Sequence, residues 1–129
     1  MIRLFCAIFT VLCFIPAPAQ AGSTCDPDGV QSSGSIYRIC MPAPDAYNGI
    51  LVIWAHGFQD AGTPVQIPED QLCIGDFCIP EVVNGLGFGF ATNSYSKTGL
   101  AVVEGQADIL DLVDIYTAQK GRSLASVRS

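Results

Sequence analysis

Residues 50–55, Ile-Leu-Val-Ile-Trp-Ala, form an uninterrupted apolar run with Asn48 and Gly49 before it and His56 and Gly57 after it. A short run bounded by turn-forming residues reads as a strand buried on both faces. That is the pattern of a sheet covered by helices on both sides, and it differs from the alternating strands of a sandwich. The neighbouring segments fit such a sheet. Residues 35–40 alternate well enough for a strand, and residues 41–49, with Pro42, Pro44, Asp45 and Gly49, form the turn between the two. Residues 59–79 are polar, carry two prolines, two glycines and two cysteines, and read as a long excursion over the surface.

Residues 80–85 suit a short helix with Pro80 in its first turn and Gly85 at its end, and residues 87–92 resemble another buried strand. Gly85, Gly87 and Gly89 do not make a dinucleotide loop, because that fingerprint has its strand before the glycines and its helix after them. Residues 100–120 give the clearest helix, with Val102, Val103, Ile109, Leu110, Val113 and Tyr116 gathering on one face at a 3.6-residue period. Glu104, Asp108 and Asp111 fall opposite and are expected to form a solvated outer face, with no metal role. Lys120 and Gly121 supply a basic last turn and a glycine stop.

The N-terminus has the form of an export leader. A positive start at residues 1–3, an apolar stretch over 4–15 and the small-residue site Ala19-Gln20-Ala21 predict cleavage after Ala21. The stretch is shorter than the roughly 20 residues of a membrane-spanning helix, so the leader is not read as a membrane anchor. Thr24 before Cys25 does not fit a lipid-attachment site. The remainder, residues 22–129, is one domain at most. Outside the leader stand Cys25, Cys40, Cys73 and Cys78, for which three pairings are possible, and Cys25 with Cys40 and Cys73 with Cys78 is the pairing expected. Zinc is not favoured, because paired C-x-x-C knuckles are missing and His56 is the only histidine. With Arg3 gone, five Lys and Arg face twelve Asp and Glu, which argues against nucleic-acid or anionic-membrane partners.

The motif that carries chemistry is Ala55-His56-Gly57-Phe58, set directly after the buried run. A strand ending in a glycine-containing loop can aim backbone N–H groups at a developing oxyanion, and losing one such donor costs about 2.7 to 4 kcal/mol of transition-state energy. Here the chain resembles the α/β-hydrolase family, in which a His-Gly pair after the third strand opens the oxyanion loop. The resemblance extends over residues 36–121 as an order of elements, and residues 91–96 with the following helix look like the stretch leading to the nucleophile strand in secreted esterases and prolyl-oligopeptidase-like hydrolases. It implies an α/β fold, the N-terminal part of an α/β-hydrolase sheet of about three to four strands with helices packed on it. It implies too that Phe58 and Gly57 donate to the oxyanion while His56 shapes the loop. The plainer reading of His56 is a buried histidine capping a strand end. Ser94, Tyr95 and Ser96 either line a substrate pocket or form a hydrogen-bonded loop.

Departures from the family are equally informative. No G-x-S-x-G occurs, and the nearest imitation, Gly121-Arg122-Ser123-Leu124-Ala125, follows a helix where the nucleophile elbow needs a strand. In that family the base histidine lies beyond the nucleophile, so His56 is not the base. The expectation is therefore the N-terminal portion of a secreted serine hydrolase for carboxylic esters, or secondarily peptides, without nucleophile or base, without cofactor and inactive alone. The rival expectation is a small disulfide-stapled secreted binding module that never had catalysis.

Overall fold

The structure, a computed structural model, describes residues 24–126, so the leader expected over residues 1–21 lies outside the described residues. Strands β1 (Thr24–Cys25), β2 (Gly29–Val30), β3 (Ile36–Met41), β4 (Leu51–Trp54) and β7 (Gly89–Asn93) build one sheet, with β5 (Cys73–Ile74) and β6 (Phe77–Cys78) forming a separate hairpin. The helices are α1 (Glu69–Leu72), α2 (Ile79–Gly85) and α3 (Val102–Ser126). The main sheet runs β1-β3-β7-β4, with β2 also pairing β3. Both β1 and β2 lie antiparallel to β3, β3 is antiparallel to β7, and β7 is parallel to β4.

Alternation along the two inner strands sorts the core into two layers. Ile39 and Ala91 face α3 and pack with Leu112 and Tyr116, with Leu51 and Ile115 at the margin. Cys40 and Phe90 face the other way, onto Ile67 and Leu72, with Ile79 and Val83 of α2 beside them. One helix thus covers one face of the sheet, and two short helices cover the other. Asn84 locks α2 down by donating its Nδ2 hydrogens to the carbonyls of Cys40 and Phe88, at 3.0 and 2.8 Å. Gly87 turns the chain from α2 into β7 at φ +84°, where a Cβ would stand 2.7 Å from the Ala46 carbonyl oxygen.

These observations overturn the fold expected from the resemblance. The molecule is not the expected α/β-hydrolase sheet but a small mixed sheet in which only the β4–β7 pairing is parallel, stapled by two disulfides. The strand buried on all sides is β7, whereas β4 lies at the sheet margin with every residue half-buried. The burial expected of residues 87–92 is therefore found in β7, whereas the full burial expected of residues 50–55 is not found in β4. At Gly89 a Cβ would meet Met41 Sδ and the Tyr116 hydroxyl, both at 3.2 Å, so smallness here lets α3 approach.

Four further expectations need correction. Helix α3 does not stop at Gly121 but continues to Ser126, since one glycine costs only about 1 kcal/mol relative to alanine in a helix. Asp108 is not solvated but 2 % exposed, and the buried line of α3 includes Gly105, Asp108, Leu112 and Tyr116. Val102, Val103 and Leu110, placed on the buried face by the period, are exposed. The excursion over residues 59–79 also holds more structure than expected, with α1, the β5–β6 hairpin and a buried Ile67.

Both cystines join the expected partners, Cys25 with Cys40 and Cys73 with Cys78. Paired thiols of this kind belong to an oxidising environment. Among the described residues, no helix is long and apolar enough to cross a membrane.

Candidate functional site

At the C-terminal end of β4 the chain enters the His56-Gly57-Phe58 loop, and at the C-terminal end of the parallel neighbour β7 it enters the Ser94-Tyr95-Ser96 loop. Parallel pairing brings the two loops to the same end of the sheet. The Tyr95 ring stacks on the His56 ring with centroids 4.0 Å apart. Tyr95 holds a left-handed backbone at φ +53°, an uncommon conformation for a bulky residue. Helix α3 accommodates the ring because Gly105 leaves space: a Cβ there would sit 3.1 Å from Tyr95 Cδ1.

Two successive peptide planes of the His56 loop are fixed by side chains. The first joins His56 to Gly57. Its carbonyl accepts the Tyr95 hydroxyl at 3.1 Å, and its N–H donates to Gln71 Oε1 at 3.1 Å. The second joins Gly57 to Phe58, and its carbonyl lies 2.7 Å from His56 Nδ1. A carbonyl can only accept, so the ring proton sits on Nδ1. Because the peptide is trans, the Phe58 N–H points away from that carbonyl. No hydrogen bond to the Phe58 N–H is found among the described residues. Of the two amides expected as oxyanion donors, Phe58 is open and Gly57 is occupied.

The loop borders a groove of about 520 Å³. His56, Phe58, Tyr95 and Lys97 stand along it, with Leu100, just before α3, and Ile109 and Leu110, in the third turn of α3, supplying apolar wall. Phe58 and Leu100 are exposed at its rim. The Gly99 N–H donates to the Gln59 carbonyl at 2.9 Å, which ties the two sides together. Lys97 pairs with Glu104 across 3.2 Å, and the Glu104 carboxyl is lowered from its ordinary value by a hydrogen bond to its own backbone and by that lysine. Burial pushes the Tyr95 phenol up, so it remains a neutral donor to the His56 carbonyl.

Of the three residues expected as pocket or loop, only Tyr95 lines the groove. Ser94 is buried, accepts the Ile36 N–H at 2.9 Å and donates to the Tyr95 carbonyl at 2.8 Å, which makes it part of a hydrogen-bonded loop. The Ser96 N–H donates to Asp108 Oδ2 at 2.6 Å. Asp108 also receives the Ser33 hydroxyl at 2.6 Å, and this pair of bonds is what the carboxylate gains by burial. Gln71 went unnoticed in the sequence, where a glutamine in a polar stretch carries no signal.

His56 Nε2 is buried without a partner, so no nucleophile–base hydrogen bond to it exists among the described residues. Ser123 lies within α3 and not at a strand-to-helix elbow. The described residues hold no cluster of His, Cys, Asp or Glu placed to bind a metal. No protein-family model, curated protein or solved structure matches the chain.

Proposed function

We propose that this is an exported protein, released by cleavage near Ala21, that binds the acyl part of a small carboxylic ester, or secondarily of a peptide, in the groove beside Phe58. The resemblance of its His-Gly loop to that of secreted serine hydrolases motivates the reading. The single observation that carries it is a Phe58 N–H with no acceptor among the described residues, on a residue that lines an apolar groove, preceded by peptide groups already held by His56, Tyr95 and Gln71. A carbonyl oxygen is the simplest partner for one fixed N–H, and the alkyl chain behind it would rest on Leu100, Ile109 and Leu110. Turnover is not expected from these residues, because His56 Nε2 has no hydroxyl or thiol partner.

An NMR titration of the ¹⁵N-labelled protein tests this. Methyl hexanoate should shift the Phe58 amide and the Leu110 methyls saturably, whereas methyl hexyl ether, which has the chain but no carbonyl, should move Leu110 alone. p-Nitrophenyl butyrate should remain intact. Failure of the ester to perturb Phe58 would remove the proposal. The second reading, a disulfide-stapled binding module, is favoured by the two cystines and by the exposed apolar side chains Val102, Val103 and Leu110. It expects ester and ether to bind alike.

A further inference from the structure

Gln71 stands on α1, away from the groove wall, yet its Oε1 accepts the Gly57 N–H at 3.1 Å. That bond acts where the loop is weakest. Gly57 has the widest torsional freedom of any residue in the motif, and it links the His56–Gly57 peptide plane to the one that carries the Phe58 N–H. A Cβ at Gly57 would meet only Gln71 Oε1, at 3.5 Å, so packing supplies little restraint. Without Gln71 the Gly57 N–H could also compete for the same ligand oxygen.

The mounting of Gln71 is equally specific. Helix α1 is only Glu69–Leu72, has no side-chain cap and is too short to persist by itself. Leu72, 1 % exposed, anchors it on one side, and the Cys73–Cys78 cystine begins at the next residue. A continuous path therefore runs from the stapled hairpin through α1 and the Gln71 carboxamide to Gly57.

We infer that Gln71 is a positioning residue for carbonyl binding: it holds the Gly57 amide so that the Phe58 amide alone faces the groove, with the Cys73–Cys78 hairpin as its support. The inference rests on the acyl-binding reading above and adds the residue that sets the donor geometry.

The test compares the parent protein with Gln71→Leu, Gln71→Glu and the double variant Cys73→Ser with Cys78→Ser, using methyl hexanoate and methyl hexyl ether as probes. Gln71→Leu should speed hydrogen exchange at Gly57 and weaken ester binding about tenfold, the equivalent of one net hydrogen bond, while ether binding stays at the parent level. Gln71→Glu keeps an acceptor and should restore the ester's advantage. The double variant should lose that advantage as Gln71→Leu does. If Gln71→Leu fails to fold, Gln71→Asn, with its carboxamide drawn back by one methylene, carries the same comparison. Ester binding unchanged in Gln71→Leu, with the Phe58 amide of the parent responding, would overturn the role of Gln71 and leave acyl binding standing. A parent protein that binds both probes alike would overturn both.

Discussion

His56 spends its ring proton on its own loop, donating from Nδ1 to the Gly57 carbonyl and thereby turning the next amide outward. This short-range act was half legible in the sequence, since a His-Gly pair after a strand already suggests a shaped loop. The hydroxyl of Tyr95 and the carboxamide of Gln71 complete the restraint from 39 and 14 residues away. A second residue-scale feature concerns Tyr116, whose hydroxyl lies 2.5 Å from that of Tyr47. Burial, and then the hydrogen bond to Tyr47, hold the Tyr116 phenol well above its ordinary value. In the unfolded chain this group ionises at about pH 10, so its contribution to stability is complete below that pH and is lost as pH rises towards the folded value. An absorbance titration of tyrosinate should show two raised phenols, Tyr95 and Tyr116, and Tyr116→Phe should remove the later step and flatten the alkaline fall in the urea midpoint. An unaltered late step in Tyr116→Phe would refute the assignment.

Helix α3 shows how an element can be found correctly and faced wrongly. Its apolar residues cover more than one side, so the 3.6-residue period locates the helix without deciding which flank meets the sheet. Leu112 and Tyr116 meet it, while Val102, Val103 and Leu110 remain exposed. The deciding contact is polar. Asp108 receives the Ser33 hydroxyl and the Ser96 N–H, and its carbonyl receives Gln31 Nε2 at 2.8 Å, so three side chains or amides from two loops converge on one turn of α3. Replacing Asp108 by Ala strips two of these donors of their charged acceptor and should cost about 3 kcal/mol, read as a lowered urea midpoint. A loss comparable to that of an exposed acid would show the clamp to be dispensable. Strand β4 offers the same lesson, because a run of apolar residues states that water is avoided and leaves open whether the strand has one neighbour or two.

Across the whole molecule, the two apolar layers share β3 and β7, so neither can dissolve without exposing the back of the other. Trp54, the only tryptophan, packs on the layer under α1 and α2, while most helical signal comes from α3 on the opposite face. Tryptophan fluorescence and far-UV circular dichroism should therefore report coincident thermal transitions. Separate midpoints would mean that the layers unfold independently.

The sequence by itself determined what depends on near neighbours: the strands near residues 36–41, 51–54 and 89–93, the short helix α2, the presence of the long helix α3, and four cysteines suited to pairing in an oxidising environment. Strand order, the burial of Asp108 and the hold of Gln71 on Gly57 were decided by the tertiary structure alone. Hydropathy is a local property of each residue, whereas a strand's neighbours and a buried polar group's partners come from distant parts of the chain and are defined only once the sheet has closed.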